Sequence, residues 1–125
     1  MSGERGRFER ANLGGAKFET VQAHGGDGSI AFARILDRSV VAGPVNFVDV
    51  AVLGPGVSIG SHTHGLDEEE YYLVLEGRGT MTQDARSFEV SGGDLVRTAP
   101  GTTHELRNTG SSDLRLFVFE VEVAR

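Results

Sequence analysis

Cysteine is absent from the 125-residue chain, so disulfide bonds and thiolate metal sites are excluded. Long apolar runs are also missing, and no segment approaches the length of a membrane span. The opening residues, MSGERGRFERANLGG, are charged and lack the apolar stretch of a signal peptide. Together these absences predict a soluble, cytoplasmic protein.

Positive charge is scarce. The chain carries 12 Lys and Arg residues against 18 Asp and Glu residues, which gives a net charge of -6. Nucleic acids bind clustered Lys and Arg, and anionic membrane surfaces attract the same residues. We therefore expect no nucleic-acid partner and no membrane partner, and we expect a small molecule as the ligand.

Helical periodicity is hard to find. The chain instead shows short apolar or alternating runs separated by turn residues, and 18 of its residues are glycine. The runs cover residues 18–23, 30–36, 45–53, 70–77, 79–83, 87–90, 94–99, 104–108 and 114–123. About nine short strands predict an all-β fold, a closed barrel or jelly roll, because closure removes exposed sheet edges.

The predicted organisation is a single domain. A length of 125 residues is typical of one domain, and we find no repeat, linker or second domain along the chain. Residues 1–14 contain no strand-like run. We therefore predict a flexible N-terminal arm over 1–14 and a barrel over 15–125.

Two of the four histidines stand two residues apart in the segment GSHTHG, residues 60–65. In a strand, alternate side chains share a face, so His62 and His64 would point the same way and could bind one metal. A carboxylate, Glu70, opens the run EYYLVLEG, and His104 begins the run HELRN. Imidazole and carboxylate ligands suit divalent first-row metals. The pair alone would also fit two polar residues on a loop rim.

Two longer motifs contain these residues. The segment GVSIGSHTHGLDEEEYYLVLEG (56–77) and the segment GDLVRTAPGTTHELRN (93–108) resemble the two cupin motifs, G-x5-H-x-H-x3/4-E-x6-G and G-x5-P-x-G-x2-H-x3-N. This resemblance to small single-domain cupins implies a double-stranded β-helix (jelly-roll) barrel. It also implies one divalent transition metal per chain, Fe, Mn, Ni or Zn, bound by His62, His64, Glu70 and His104.

The sequence departs from the motifs at two places. Five residues separate His64 from Glu70, one more than the first motif allows. We assign Glu70 as the ligand because the strand should begin there, whereas a count forward from His64 would select Glu68 or Glu69. In the second motif Ala99 stands where proline is usual, which affects the rigidity of the turn rather than metal binding.

Other side chains are candidates for a binding pocket. Tyr72 shares its strand face with Glu70, and it could act as a catalytic acid, hold a substrate oxygen, or serve as a core aromatic. Arg97 could pair with a substrate carboxylate or phosphate, or it could point outward into solvent. Arg34 carries the same two alternatives. His24 is expected at the surface of a turn.

The resemblance implies a scaffold and a metal but no particular reaction, because one fold supports several chemistries. Our first interpretation is a mononuclear-metal enzyme whose small, oxygen-rich organic substrate chelates the metal, either a dioxygenase or an isomerase, cyclase or lyase. The alternative is a non-catalytic, metal-containing cupin that binds a small molecule. The resemblance also implies a homodimer formed through sheet faces or exchanged N-terminal strands, to which the apolar runs 18–23, 30–36 and 116–123 could contribute.

Overall fold

Residues 9–124 of the chain are described by the computed structural model, and strands dominate it. A short 3-10 turn, Leu13–Gly15, precedes ten strands. The strands are β1 (Glu19–Val21), β2 (Ile30–Asp37), β3 (Val45–Leu53), β4 (Ser58–Thr63), β5 (Glu68–Glu76), β6 (Arg78–Gln83), β7 (Arg86–Ser91), β8 (Leu95–Thr98), β9 (Thr103–Asn108) and β10 (Leu114–Glu122). The prediction of an all-β fold is confirmed. Within the described range, no helix is long and apolar enough to cross a membrane.

The strands form two antiparallel sheets that share one core. Six strands follow the order β1-β2-β3-β10-β5-β8, and four follow the order β4-β9-β6-β7. The buried cluster draws apolar side chains from both sheets, among them Leu53, Val74, Leu116, Ile59, Met81 and Leu106. Removal of this apolar surface from water is the main favourable contribution to folding.

Strand β10 shows why the sequence forms this arrangement. Its inward positions Leu114, Leu116 and Val118 are buried, whereas the residues between them are half-buried. Side chains alternate between the two faces of a strand, so every second residue of β10 enters the core. Glu120 occupies the next inward position and is also buried. A carboxylate therefore enters the interior at the end of an apolar row.

Strand pairing brings the two sequence motifs together. In the β4–β9 pair, His62 lies opposite His104, after a register shift that begins at Ile59. In the β5–β8 pair, Glu70 lies opposite Thr98. Strand β5 belongs to the six-stranded sheet, and β4 and β9 belong to the four-stranded sheet. The motif residues consequently meet between the two sheets.

Each of the nine predicted runs overlaps a strand, although β5 begins at Glu68 rather than at Glu70, and β4 was not among the runs. Its sequence, SIGSHT, has one large apolar residue, so neither an apolar run nor a clear alternation marks it. The N-terminal arm over 1–14 stays a prediction. Residues 1–8 lie outside the described part of the chain, and the 3-10 turn begins at Leu13.

Candidate metal centre

The structure brings the four predicted metal ligands together. The Nε2 atom of His104 lies 3.0 Å from Nε2 of His64 and 3.1 Å from Nε2 of His62. The Oε1 atom of Glu70 lies 2.9 Å from Nε2 of His64 and 3.2 Å from Nε2 of His104. One ligand atom from each residue therefore belongs to a single group that could hold a metal ion.

These spacings fit a bound ion. An ion with six ligands at about 2.1 Å separates neighbouring ligand atoms by about 3.0 Å, whereas four tetrahedral ligands would stand about 3.4 Å apart. Oε1 of Glu70 is buried and has no hydrogen-bond partner of suitable geometry. A buried carboxylate oxygen without a partner costs free energy, and a divalent cation would remove that cost.

Two of the imidazoles have partners that fix which ring nitrogen faces the centre. Nδ1 of His62 lies 2.8 Å from the carbonyl oxygen of Gly60, to which it donates when it carries the proton. Nδ1 of His104 lies 3.0 Å from the hydroxyl oxygen of Thr98. With the proton on Nδ1, the lone pair on Nε2 is free for a metal. Such outer partners are typical of histidine metal ligands.

The third imidazole has a carboxylate partner. Oε1 of Glu120, which β10 places in the interior, lies 3.2 Å from Nδ1 of His64. Oε2 of Glu120 accepts a hydrogen bond from Nδ2 of Asn46 at 2.8 Å. A carboxylate in this position makes an imidazole a stronger ligand. Sequence reasoning missed both Glu120 and Asn46, although the inward register of Glu120 in the run LRLFVFEVEV was a readable signal.

The three consecutive glutamates take different positions. Glu70 faces the imidazoles, whereas Oε1 of Glu68 lies 3.4 Å from Nδ1 of His64, on the opposite edge of that ring. Glu69 accepts hydrogen bonds from Tyr71 and Arg97. The geometry agrees with the assignment of Glu70, which stays a prediction until a metal is measured.

The protonation of the centre follows from its contacts. The neighbouring carboxylates of Glu120 and Glu70 raise the pKa of His64 to about 10, although burial acts in the opposite direction. Burial lowers the pKa of His62 to about 4. Burial alone would raise the pKa of Glu70, but the neighbouring imidazoles of His104 and His64 outweigh it and hold that pKa at about 2. At neutral pH a metal must therefore displace a proton from His64.

A cavity of about 660 Å³ opens beside the four ligand atoms. Its apolar wall consists of Val21, Ala23, Ile30, Phe32, Phe47, Ala51, Ile59 and Val118. Its polar wall includes His24, Arg34, Asp49 and Tyr72 in addition to three of the predicted ligands, His62, His64 and Glu70. Cavities of this size bind small organic molecules, with apolar walls for the body and a few polar groups for orientation.

Tyr72 lies between the core and the cavity. It is buried, and its ring meets the ring of His104 edge to face with the centroids 5.4 Å apart. Burial and the charge of Glu70 raise the pKa of its phenol well above the ordinary value, so the hydroxyl keeps its proton. Tyr72 therefore belongs to the core cluster and also lines the cavity. Its catalytic or substrate-binding role stays a prediction.

The two arginine candidates differ in position. Arg97 pairs with Glu69, its side chain is 56% exposed, and it is not among the residues that line the cavity. Strand β8 directs this side chain outward, the second of the two alternatives, and a contact of Arg97 with substrate stays a prediction. Arg34 does line the cavity, where it donates two hydrogen bonds of 2.9 and 3.0 Å to Asp49 and stacks on Phe47.

His24 occupies an exposed turn, as expected, but it is also part of the cavity wall. Its ring stacks on the ring of His62, with the centroids 3.6 Å apart and the planes 9° from parallel. Its backbone φ is 51°, a conformation that non-glycine residues seldom adopt. No motif in the sequence pointed to this contact, because it depends on how the turn folds against β4.

This chain was compared with a family model, with related sequences and with solved structures. The family model described as "Cupin domain" matches residues 49–120. An oxalate-binding protein from Thermotoga maritima is 31% identical over 90 residues, which cover 72% of this chain and 74% of that protein. A crystal structure of a predicted oxalate decarboxylase from Thermotoga maritima has a TM-score of 0.87 and 25% identity, over 92% of this chain and all of that one.

A second solved structure extends the likeness of the fold. The polyketide cyclase RemF from Streptomyces resistomycificus has a TM-score of 0.75 and 21% identity, over 94% of this chain and 81% of that one. At this level of identity the similarity concerns the fold. The predicted double-stranded β-helix barrel is thereby confirmed.

Proposed function

The chain belongs to the cupin family, and on that basis we propose that it is a mononuclear-metal enzyme that acts on a small, oxygen-rich organic molecule. The observation that carries the proposal is the convergence of three imidazole nitrogens and one buried carboxylate oxygen within 4.8 Å of one another. Because Nδ1 of each imidazole has its own oxygen partner, the Nε2 atoms are oriented for an ion.

The donor set accommodates one Fe, Mn, Ni or Zn ion, because mixed nitrogen and oxygen ligands accept most first-row metals. Four protein ligands leave two positions of a six-coordinate ion for the oxygens of a chelating substrate. When bound, the ion would supply Lewis-acid activation of a chelated carbonyl or, in the case of iron, dioxygen chemistry. The proposal therefore includes a dioxygenase and an isomerase, cyclase or lyase as its two branches.

Residues of the chain itself would orient the substrate. The protonated phenol of Tyr72 can donate a hydrogen bond to a substrate oxygen in the cavity. The rings of Phe32 and Phe47 offer an apolar surface to the rest of the substrate and keep water from it. Arg34 is already neutralised by Asp49, so it contributes little free positive charge.

The size of the cavity favours a substrate larger than a two-carbon acid. About 660 Å³ lies within the range of roughly 300–1,000 Å³ for pockets that bind drug-sized molecules. We therefore propose a substrate with a chelating, oxygen-bearing end and an apolar body. Oxalate, which the name of the Thermotoga relative mentions, is then a minimal probe for the chelating end.

A second function deserves a test because that relative bears the name of a binding protein. In this alternative the chain is a metal-containing cupin that binds a small molecule without turnover. The two functions separate in one assay: titration of the metal-loaded protein with candidate ligands gives saturable binding in both cases, whereas only an enzyme also gives product.

Elemental analysis of protein purified without a metal-affinity column tests the shared premise. We expect close to one divalent metal per chain, and its loss in the variant His62→Ala/His104→Ala. Iron would direct the next assays to oxygen uptake, and zinc or nickel would direct them to anaerobic isomerisation, cyclisation or cleavage. Protein that holds no metal and takes up none on reconstitution would contradict both functions.

We also propose that the chain acts as a homodimer in the cytoplasm. The outer face of the six-stranded sheet presents Tyr71 stacked on Phe119 at 4.8 Å, with Phe117 beside them. Leu95, on the same face, is 63% exposed. Apolar surface of this kind is typical of an interface. Light scattering during size-exclusion chromatography should give twice the monomer mass, and a monomer mass at micromolar concentration would contradict the proposal.

A further inference from the structure

The loop between β1 and β2 lies on the free edge of β4. The carbonyl oxygen of Ala23 accepts a hydrogen bond from N of Gly60 at 2.9 Å, and that of Asp27 accepts one from N of Ser58 at 2.9 Å. N of Asp27 donates in return to Oγ of Ser58 at 2.8 Å. Strand β4 is an edge strand of its sheet, so the loop supplies the backbone partners that this edge would otherwise lack.

Two glycines allow this close approach. A Cβ atom on Gly60 would lie 2.2 Å from the carbonyl oxygen of His24, and one on Gly26 would lie 2.2 Å from the carbonyl oxygen of Ser58. Real Cβ atoms do not approach backbone atoms so closely. Since both neighbours are backbone atoms, a larger residue at either position would push the loop away from β4.

The docked loop contacts His62 in two ways. The ring of His24 covers one face of the His62 ring at a centroid distance of 3.6 Å. Gly60 links the loop to His62: its N donates a hydrogen bond to the carbonyl oxygen of Ala23 in the loop, and its own carbonyl oxygen is the partner of Nδ1 of His62. His62 is also the one predicted ligand that is half-buried rather than buried. The loop thus supports the ligand that the core supports least.

We propose that His24 is a positioning residue of the metal centre, which holds the ring of His62 in the orientation for metal binding by stacking on it. This inference rests on the proposed function, because it presupposes that His62 binds a metal. Loss of an outer contact to a metal ligand costs about 10–100-fold in metal affinity, and a stack on one ring face should lie near the lower limit.

The test compares two substitutions that separate the ring from the backbone. Asn tolerates positive φ but offers no aromatic ring, so His24→Asn preserves the turn and removes the stack. His24→Phe keeps an aromatic ring but has no nitrogen. We would measure the Co(II) dissociation constant by competition with a chromophoric chelator, the visible spectrum of the Co(II) protein, and the thermal midpoint of the metal-free protein.

We expect His24→Asn to bind Co(II) about tenfold more weakly, with altered visible bands and an unchanged thermal midpoint. His24→Phe should remain within about twofold of the natural chain, with its spectrum restored. An unchanged dissociation constant in His24→Asn, or an equal loss in His24→Phe, would overturn the inference. If the natural chain itself bound no Co(II), the proposed function would fail, which is a different result.

Discussion

The two halves of the candidate metal centre are held by different means. His64, Glu70 and His104 are only 7%, 5% and 2% exposed, and contacts with one another and with the buried Glu120 hold them. His62 stands in β4 but is half-buried, and a loop also supports it through the ring of His24. The contrast teaches that contacts between the two sheets hold the buried half, whereas the more exposed half also depends on a loop contact that can vary without loss of the barrel.

The buried half should be the less tolerant of substitution. Glu70→Gln replaces the carboxylate beside Nε2 of His64 and Nε2 of His104, and we expect metal affinity to fall by more than about a hundredfold, the upper limit for outer-shell changes. Glu68→Gln is the matched control, and its affinity should stay within about threefold because Glu68 faces the far edge of His64. Competitive titration with Co(II) measures both. Full occupancy in Glu70→Gln with loss in Glu68→Gln would reverse the ligand assignment.

The buried half should also dominate the dependence on pH. In the metal-free protein the pKa of His64 is about 10, above its ordinary value of 6.5, whereas the pKa of His62 is about 4 and that of Glu70 about 2. The proton on His64 stabilises the metal-free fold fully below pH 6.5, and that contribution is lost as the pH rises through about 10. A metal must displace this one proton.

We therefore expect metal affinity to rise about tenfold per pH unit, or about a hundredfold between about pH 6 and pH 8. Calorimetry in buffers of different ionisation enthalpy should find one proton released per ion bound. A metal affinity that did not change with pH would mean that His64 carries no proton in the metal-free protein. Release of two protons would mean that a second group also loses a proton when the metal binds.

The source of this proton can be tested at Glu120. The variant Glu120→Gln keeps an oxygen near Nδ1 of His64 but removes the carboxylate that is the main cause of the raised pKa. The rise of metal affinity with pH should therefore end at a lower pH than in the natural chain. Once the competing proton is allowed for in both proteins, the metal affinity of the variant should be about tenfold weaker, because a neutral partner makes His64 a poorer ligand.

A matched change at Asn46 provides the control. Asn46→Ala removes the hydrogen bond to Oε2 of Glu120 but leaves the charge next to His64. In this variant, metal affinity should rise with pH at the same slope, and the rise should end at the same pH, as in the natural chain. If both variants shifted the profile equally, the effect would come from packing around β10 rather than from the charge of Glu120.

The same contrast explains which parts of the structure could be predicted from the sequence. Strands with apolar residues on alternate positions are recognisable locally, and the resemblance to two motifs was enough to predict His62, His64 and His104 as ligands, whereas the spacing alone left Glu68, Glu69 and Glu70 open. The face of Arg97 could not be read from DLVRTA, which has an apolar or small residue on each side, without the β5–β8 register. The role of the turn at His24 depends on contacts with residues more than thirty positions away, which no local pattern contains.

The smallest expected effects concern the cavity, where an inward and an outward side chain can be compared directly. Tyr72→Phe removes one hydroxyl beside the metal centre, and Arg97→Ala removes a charge from the outer surface. With oxalate as the probe and the Co(II) protein as the receptor, Tyr72→Phe should bind about three- to tenfold more weakly, the usual effect of one lost hydrogen bond. Arg97→Ala should bind oxalate as the natural chain does, because Glu69 already neutralises the charge of Arg97.

Metal content must be equal in all three proteins, so that the difference in oxalate affinity reports ligand binding alone. Equal binding by Tyr72→Phe and the natural chain would assign Tyr72 to the core, and weaker binding by Arg97→Ala would support Arg97 as a substrate contact.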